Sequence, residues 1–424
     1  MDKADYIIAS YLLETDGDLE EAADALATEQ STGTWTDVPG EGEARERHGA
    51  RVVKVTKQGE RDRPSLPTRF APQGEAPTAR TYSWGVAEIA FPHINFGPRL
   101  PNLLSAVAGN LFEMGAFTAV KLLDLELPDE FLSRFPGPRF GIEGTRELLG
   151  VFDRPLAGAI VKPCVGLGPR ELADIVYQAA RGGLDFIKDD ELLADPAYNP
   201  LEDRVDAVME ALGRAEQETG EKTMYAFNVT DRSDRILELH DIVVDGGGTC
   251  VMLNYVTAGF GALRMLAEHT RVPIHAHRDF FPAFTRSPSL GLSTKVFTKL
   301  SRIAGADQLH IGALAGKLYE TDDEVLENVA ACMADLDGLK RSMPVSSGGQ
   351  HAGKVPLTWR KMGHPDYLHL SGGGVFGHPD GPEAGARSIR QAIAATSESR
   401  RLEDAAQDQV ELRRAIEYFG EVLY

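Results

Sequence analysis

Four consecutive charged residues, Lys188-Asp189-Asp190-Glu191, close the short strand pattern Leu184–Ile187. Alternate residues of a strand share a face, so Lys188 and Asp190 should point the same way, and Glu191 can join them where the chain leaves the sheet. Two carboxylates at the mouth of a strand make the hard, all-oxygen kind of site that Mg2+ prefers. The lysine among them has two readings. It is a counter-ion that neutralises the acids, or an amine that has taken up CO2 as a carbamate and so adds an anionic oxygen ligand. A solvated turn is the plain alternative, and the company these residues keep argues against it.

Other apolar runs also end in polar residues. Lys162 follows Ala159–Val161 and precedes Pro163. A lysine near other cations and out of water has a lowered pKa and can move protons at neutral pH, whereas one with only its stem buried does not. His277 and Arg278 close one run and His310 another, which suits substrate contacts, with Arg278 matched to phosphate. His275 is assigned to the opposite face, toward the helices. The runs Ser347-Gly348-Gly349 and Ser371-Gly372-Gly373 let backbone N–H groups approach an anion closely, so the expected substrate is a phosphate ester. The small-residue loop Gly312–Leu318 could close over it and bring Lys317 to a developing charge.

Such residues need a frame that gathers strand ends. From about Leu156 the chain keeps a regular beat, with strand candidates at Ala159–Val161, Leu184–Ile187, Met224–Val229, Cys250–Asn254, Pro273–Ala276, Gln308–Ile311, Met343–Val345 and Tyr367–Leu370. Helical patterns lie between them. Eight such alternations predict a (β/α)8 barrel, whose chemistry sits at the C-terminal ends of its strands. Earlier segments mix strands (Tyr6–Leu13, Arg51–Lys57, Thr81–Phe91, Phe117–Leu127) with helices (Leu19–Thr28, Leu100–Ala108) without a repeat. The expected architecture is an N-terminal α+β domain over residues 1–137, then the barrel over 138–424 with helices at its C-terminal end.

Composition bounds the partners. With 424 residues, 42% hydrophobic and 25% charged, the chain is ordinary for a globular enzyme. A formal charge of −20 argues against nucleic acid, whose phosphates would be repelled. The three dispersed cysteines, the absence of a basic and apolar leader pattern, and the lack of a long apolar run predict a cytoplasmic protein that does not enter a membrane.

Taken together these residues resemble the Rubisco superfamily over nearly the whole chain. The resemblance implies that Lys188 is carbamylated and holds Mg2+ with Asp190 and Glu191, and that Lys162 is the enolising lysine. It places His277, Arg278, His310, Lys317, Ser347, Gly348, Gly349, Gly372 and Gly373 on substrate and phosphate positions. It further implies a homodimer with shared active sites, or oligomers of such dimers, in which Glu29, Thr34, Trp35 and Asn110 come from the second subunit. The chain departs from carboxylases at Cys164, Phe281 and Ala313, where they carry a lysine, a histidine and a hydroxyl residue. Without that second lysine, charge building up during carboxylation loses a neighbouring cation, so the resemblance is to the non-carboxylating Rubisco-like proteins. The expectation is Mg2+-dependent decarboxylation of a phosphorylated 3-oxo sugar acid of the 3-oxo-isoapionate 4-phosphate type. Alternatives are an enolase or isomerase of a methylthio-pentose phosphate, against which Asn110 argues, a non-catalytic binding protein of the same fold, and, least favoured, a true carboxylase.

Overall fold

A computed structural model describes residues 2–34, 36, 38–67, 80–336 and 338–422. It divides into two compact units. The first draws on Met1–Phe135, Phe281–Leu300 and Leu336–Leu339; the second on Pro136–Phe280, Ser301–Asp335 and Lys340–Tyr424. Strands are numbered along the chain. In the first unit lie β1 (Tyr6–Thr15), β2 (Arg51–Arg61), β3 (Tyr82–Pro92) and β4 (Ala119–Glu126). In the second lie β5 (Leu156–Ile160), β6 (Phe186–Lys188), β7 (Met224–Asn228), β8 (Cys250–Asn254) and β9 (Ile274–His277). The short β10 (Leu290–Leu292) returns to the first unit, and β11 (Gln308–Gly312), β12 (Met343–Ser347) and β13 (Leu368–Ser371) complete the second.

The first unit is a five-stranded mixed sheet in the order β10-β4-β1-β3-β2. The helix Leu19–Glu29 starts where the Asp18 carboxylate accepts the N–H groups of Glu20 and Glu21. It buries Leu19, Ala22, Ala23, Leu26 and Ala27, the stripe that helical spacing dictates. Edge strand β2 carries Arg51, Lys54, Lys57 and Arg61, charges that discourage pairing with a further strand. Strand β10 is not among the expected elements. Three residues are too few to show a period, and its parallel partner β4 comes from much earlier in the chain.

The second unit is the barrel. Its eight parallel strands close in the order β11-β12-β13-β5-β6-β7-β8-β9, and each overlaps one of the eight expected runs, with β5 starting three residues earlier and β6 two residues later than expected. Inward positions recur every second residue, as strand geometry requires: Met224 with Ala226, Cys250 with Met252, Met343 with Val345, Leu368 with Leu370. With Leu156 and Phe186 they fill the interior, so the barrel is a packed core rather than a channel. The chain ends in the helices Leu402–Ala405 and Val410–Phe419, where C-terminal helices were expected. Among the described residues no helix is long and apolar enough to cross a membrane.

Candidate functional site

The exit of β6 sorts its four charged residues by strand alternation. Lys188 is wholly buried; its Nζ donates to the Asp189 carbonyl at 2.8 Å and lies 3.5 Å from Glu191 Oε2. Burial holds its ammonium below the ordinary lysine pKa, against the opposing pull of the Glu191, Asp190 and Asp189 carboxylates. Asp190, also buried, accepts from Lys162 through Oδ2 and from the Leu192 N–H through Oδ1 at 3.1 Å. Glu191 Oε2 is buried and has no hydrogen-bond partner among the described residues. Asp189 faces the other way and is fully engaged by Arg204 at 3.2 Å, the Tyr225 hydroxyl at 2.6 Å and the Asn228 N–H at 2.8 Å.

Lys162 follows β5 on a cis peptide to Pro163 and donates to Asp190 and, at 3.0 Å, to Cys164 Sγ. Its pKa departs from the expected lowering. Burial does pull it down, but the hydrogen bonds to Asp190 and Cys164 and their charges outweigh burial and hold the ammonium above its ordinary value. Gly372, after β13, closes the other side. A Cβ there would sit 3.3 Å from Lys162 Cε, so a side chain at this position would press on the lysine. Gly373 opens the short helix Gly373–Phe376.

Histidines line the next strands. His310 Nδ1 meets Ser347 Oγ at 2.7 Å, and its Nε2 meets His275 Nε2 at 2.8 Å. His275 Nδ1 faces Gln308 Oε1 at 2.9 Å. With the Gln308 oxygen as acceptor, the proton order is set: Ser347 donates to His310, His310 to His275, and His275 to Gln308. His275 therefore lies inside the barrel, stacked on Phe186 at 4.9 Å, and not toward the helices. The reason is parity: His275 and His277 are two residues apart and share a face. The His277 ring packs 4.4 Å from that of His310, with Nε2 3.7 Å from Glu191 Oε2. Burial, followed by nearby cationic and histidine groups, holds all three imidazoles well below their usual pKa.

Arg278 meets Glu320 with both Nη atoms, and Asn328 joins the same carboxylate at 3.3 Å. An anion at Arg278 would have to share that pair. Lys317 is exposed; its N–H donates to the Gly348 carbonyl at 3.4 Å, and its stem runs beside Gly349. Gly348 and Gly349 have φ of 116° and 73°, the left-handed region where other residues are strained, so glycine is required to make this turn.

In the first unit, Asn110 Nδ2 donates to Glu29 Oε1 at 3.0 Å, which brings two of the expected residues together. Thr34 is exposed. Trp35 lies outside the described residues. Asn228, Asn254 and Glu320 were not singled out. Both amides hold the Glu191 carbonyl, Asn254 at 2.9 Å and Asn228 at 3.3 Å. The available signal was positional, since Asn228 and Asn254 each end a barrel strand.

Reactive residues gathered at the C-terminal strand ends of a parallel eight-stranded barrel are the plan of a barrel enzyme. Residues 1–131 match the family profile of the ribulose bisphosphate carboxylase large chain, N-terminal domain, and residues 141–419 match that of its catalytic domain. The chain belongs to the Rubisco large-chain family. A ribulose bisphosphate carboxylase-like protein of Allochromatium vinosum is 42% identical, covering 99% of this chain and 91% of the relative. A 3-oxo-isoapionate-4-phosphate decarboxylase of Rhizobium rhizogenes is 38% identical over 98% of this chain and 99% of its own. A 3-oxo-isoapionate-4-phosphate transcarboxylase/hydrolase of Xanthobacter autotrophicus is 40% identical over 97% and 99%. The crystal structure of a rubisco-like protein from Burkholderia fungorum superposes with a TM-score of 0.89 at 39% identity, covering 98% of this chain and 100% of that one.

Proposed function

We propose that this protein decarboxylates a phosphorylated 3-oxo sugar acid of the 3-oxo-isoapionate 4-phosphate type. One observation carries the reading: Lys188, Asp190, Glu191 and Lys162 meet at one rim, where a buried Glu191 carboxylate oxygen, 3.5 Å from Lys188 Nζ, has no hydrogen-bond partner among the described residues. That donor set fits a hard divalent cation once the Lys188 amine carries CO2, because three anionic oxygen ligands then converge and the orphaned oxygen is used. When bound by carbamylated Lys188, Asp190 and Glu191, Mg2+ would supply Lewis-acid polarisation of the substrate's keto oxygen.

The chain's own residues do the rest. The N–H groups around Gly348, Gly349, Gly372 and Gly373 hold the phosphate, with Arg278 beside them sharing its charge with Glu320, so binding energy remote from the reacting carbon orients it. The bond from the carboxylate carbon to the substrate breaks, CO2 leaves, and the electron pair remains as an enolate. Lys162 Nζ, which carries a proton in its pairing with Asp190, delivers it to the carbon that lost the carboxylate. The ordered Ser347–His310–His275 chain fixes a neutral His310 at the substrate's polar groups, and burial keeps His277, packed on the His310 ring, neutral beside it. Lys317, on its loop, covers the phosphate end. The proposal extends to a cytoplasmic homodimer in which Glu29, Thr34, Trp35 and Asn110 of one copy complete the site of the other.

The test uses the full-length protein with Mg2+ and bicarbonate in deuterated water. Release of CO2 from 3-oxo-isoapionate 4-phosphate, with one deuterium in the product and loss of both on Lys188→Ala, is expected. Carboxyl transfer without free CO2 would replace decarboxylation by the transcarboxylase chemistry of the Xanthobacter relative's name. Proton exchange on a methylthio-pentose phosphate without CO2 release would make it an enolase or isomerase. Binding of all these phosphates with no turnover would make it a binding protein.

A further inference from the structure

Far from that rim, at the opposite end of the barrel, two imidazoles converge on one carboxylate oxygen. His240 lies in the helix Ile236–Asp245, and His269 ends the helix Phe260–His269. His240 Nδ1 is 2.9 Å and His269 Nε2 2.8 Å from Asp241 Oδ1, and the ligand atoms of all three residues lie within 4.8 Å of one another. The rings stand at 75° with centroids 4.9 Å apart. His269 ends its helix shortly before the start of β9, whereas the candidate site uses the far end of that strand, so the cluster is separate from it.

We propose that His240, Asp241 and His269 form a site for a borderline divalent transition-metal ion such as Zn2+. Two neutral imidazoles and a carboxylate select such ions over Mg2+. Tetrahedral ligands with bonds of about 2.0–2.1 Å lie about 3.3 Å apart, so the two imidazole–carboxylate contacts of 2.9 and 2.8 Å would open slightly for an ion to take three atoms that all lie within 4.8 Å of one another. As hydrogen bonds these contacts require a proton on each facing ring nitrogen; an ion takes the same three atoms with those protons gone. The fully buried His240 ring is already oriented from behind, because its Nε2 lies 3.2 Å from Thr270 Oγ1, whose hydroxyl donates to the Val272 carbonyl at 2.6 Å. Such backing is the usual support of a metal-bound histidine. Two groups of Arg271 oppose the ion: its guanidinium lies 3.5 Å from Asp241 Oδ1 and 3.0 Å from Asp245, and its backbone N–H points at His240 Nε2 at 3.3 Å, favouring the tautomer with the proton on Nδ1. Bound metal would tie the two helices that flank β8 to each other.

The experiment titrates full-length protein with Zn2+ under saturating Mg2+, and repeats it with Cu2+ to read nitrogen hyperfine coupling by electron paramagnetic resonance. Wild type should bind one more equivalent than His269→Ala, or bind it at least about tenfold more tightly, with two imidazole nitrogens on copper. His269 is partly exposed, so its loss leaves the fold intact. Arg271→Ala should tighten binding a few-fold by removing the competing cation. Equal stoichiometry and affinity in wild type and His269→Ala, or copper without two nitrogens, overturns the proposal whatever the fate of the rim chemistry.

Discussion

Neighbouring acids at the end of β6 have opposite fates. Asp189 has its carboxylate shared among Arg204, Tyr225 and a backbone N–H, all buried. Asp190 and Glu191, on the rim, are held by less: a lysine and one backbone N–H for Asp190, and no hydrogen-bonding partner for Glu191 Oε2 among the described residues. A buried acid whose lone pairs are filled holds the fold together. A buried acid left short of partners has capacity to bind something else, at a cost to stability.

The largest effect should come from the unsaturated side. Glu191→Gln or Lys188→Ala should lower Mg2+-dependent turnover by about 1000-fold, the loss of several kcal/mol of charge stabilisation, while the thermal midpoint stays within a few degrees of wild type. Steady-state assays and calorimetry on the same preparations check it, and an active Glu191→Gln would end the distinction between the two acids.

On the saturated side the sign reverses. Asp189→Ala leaves the Arg204 guanidinium buried without its carboxylate, a loss of about 3–5 kcal/mol. Chemical denaturation should show that loss. Unchanged stability with abolished turnover would move Asp189 into the chemistry.

A third acid sharpens the contrast through pH. Asp307, at the start of β11, accepts N–H groups from Phe140, Gly141 and Ile274 at 2.6–2.8 Å. Burial raises its pKa to about 6 despite these three donors. The folded state therefore binds the proton more tightly than the unfolded chain between about pH 4 and pH 6. This group's contribution to stability is present below pH 4, falls as pH rises through 6, and totals about 3 kcal/mol. Asp307→Asn should flatten that part of the stability–pH curve; an identical slope in the variant would refute the assignment.

The smallest test concerns Gly372. A methyl group 3.3 Å from Lys162 Cε should displace the lysine by a few tenths of an ångström. Gly372→Ala should then slow turnover about tenfold with little change in thermal midpoint, since small misplacements at a reacting group are costly. An unaffected rate would show that Lys162 tolerates movement.

Much of this was legible beforehand. The eight-strand beat showed because the barrel strands are buried on both faces and so read as short apolar runs set between helical patterns, a signal that survives in one dimension. The rim was legible because a parallel barrel puts every strand's C-terminal end at one face, so Lys162, Lys188, Asp190, Glu191, His277 and His310 could be grouped by position alone. Other features depend on partners remote in sequence. β10 exists through pairing with β4, the Lys162 pKa is decided by Asp190 on the next strand, and Arg278 is claimed by Glu320. His240, Asp241 and His269 carry no recognisable spacing and meet only because two helices pack side by side. Local periodicity is written into the chain by backbone geometry, whereas saturation, charge balance and convergence are sums over neighbours in space, which folding alone brings together.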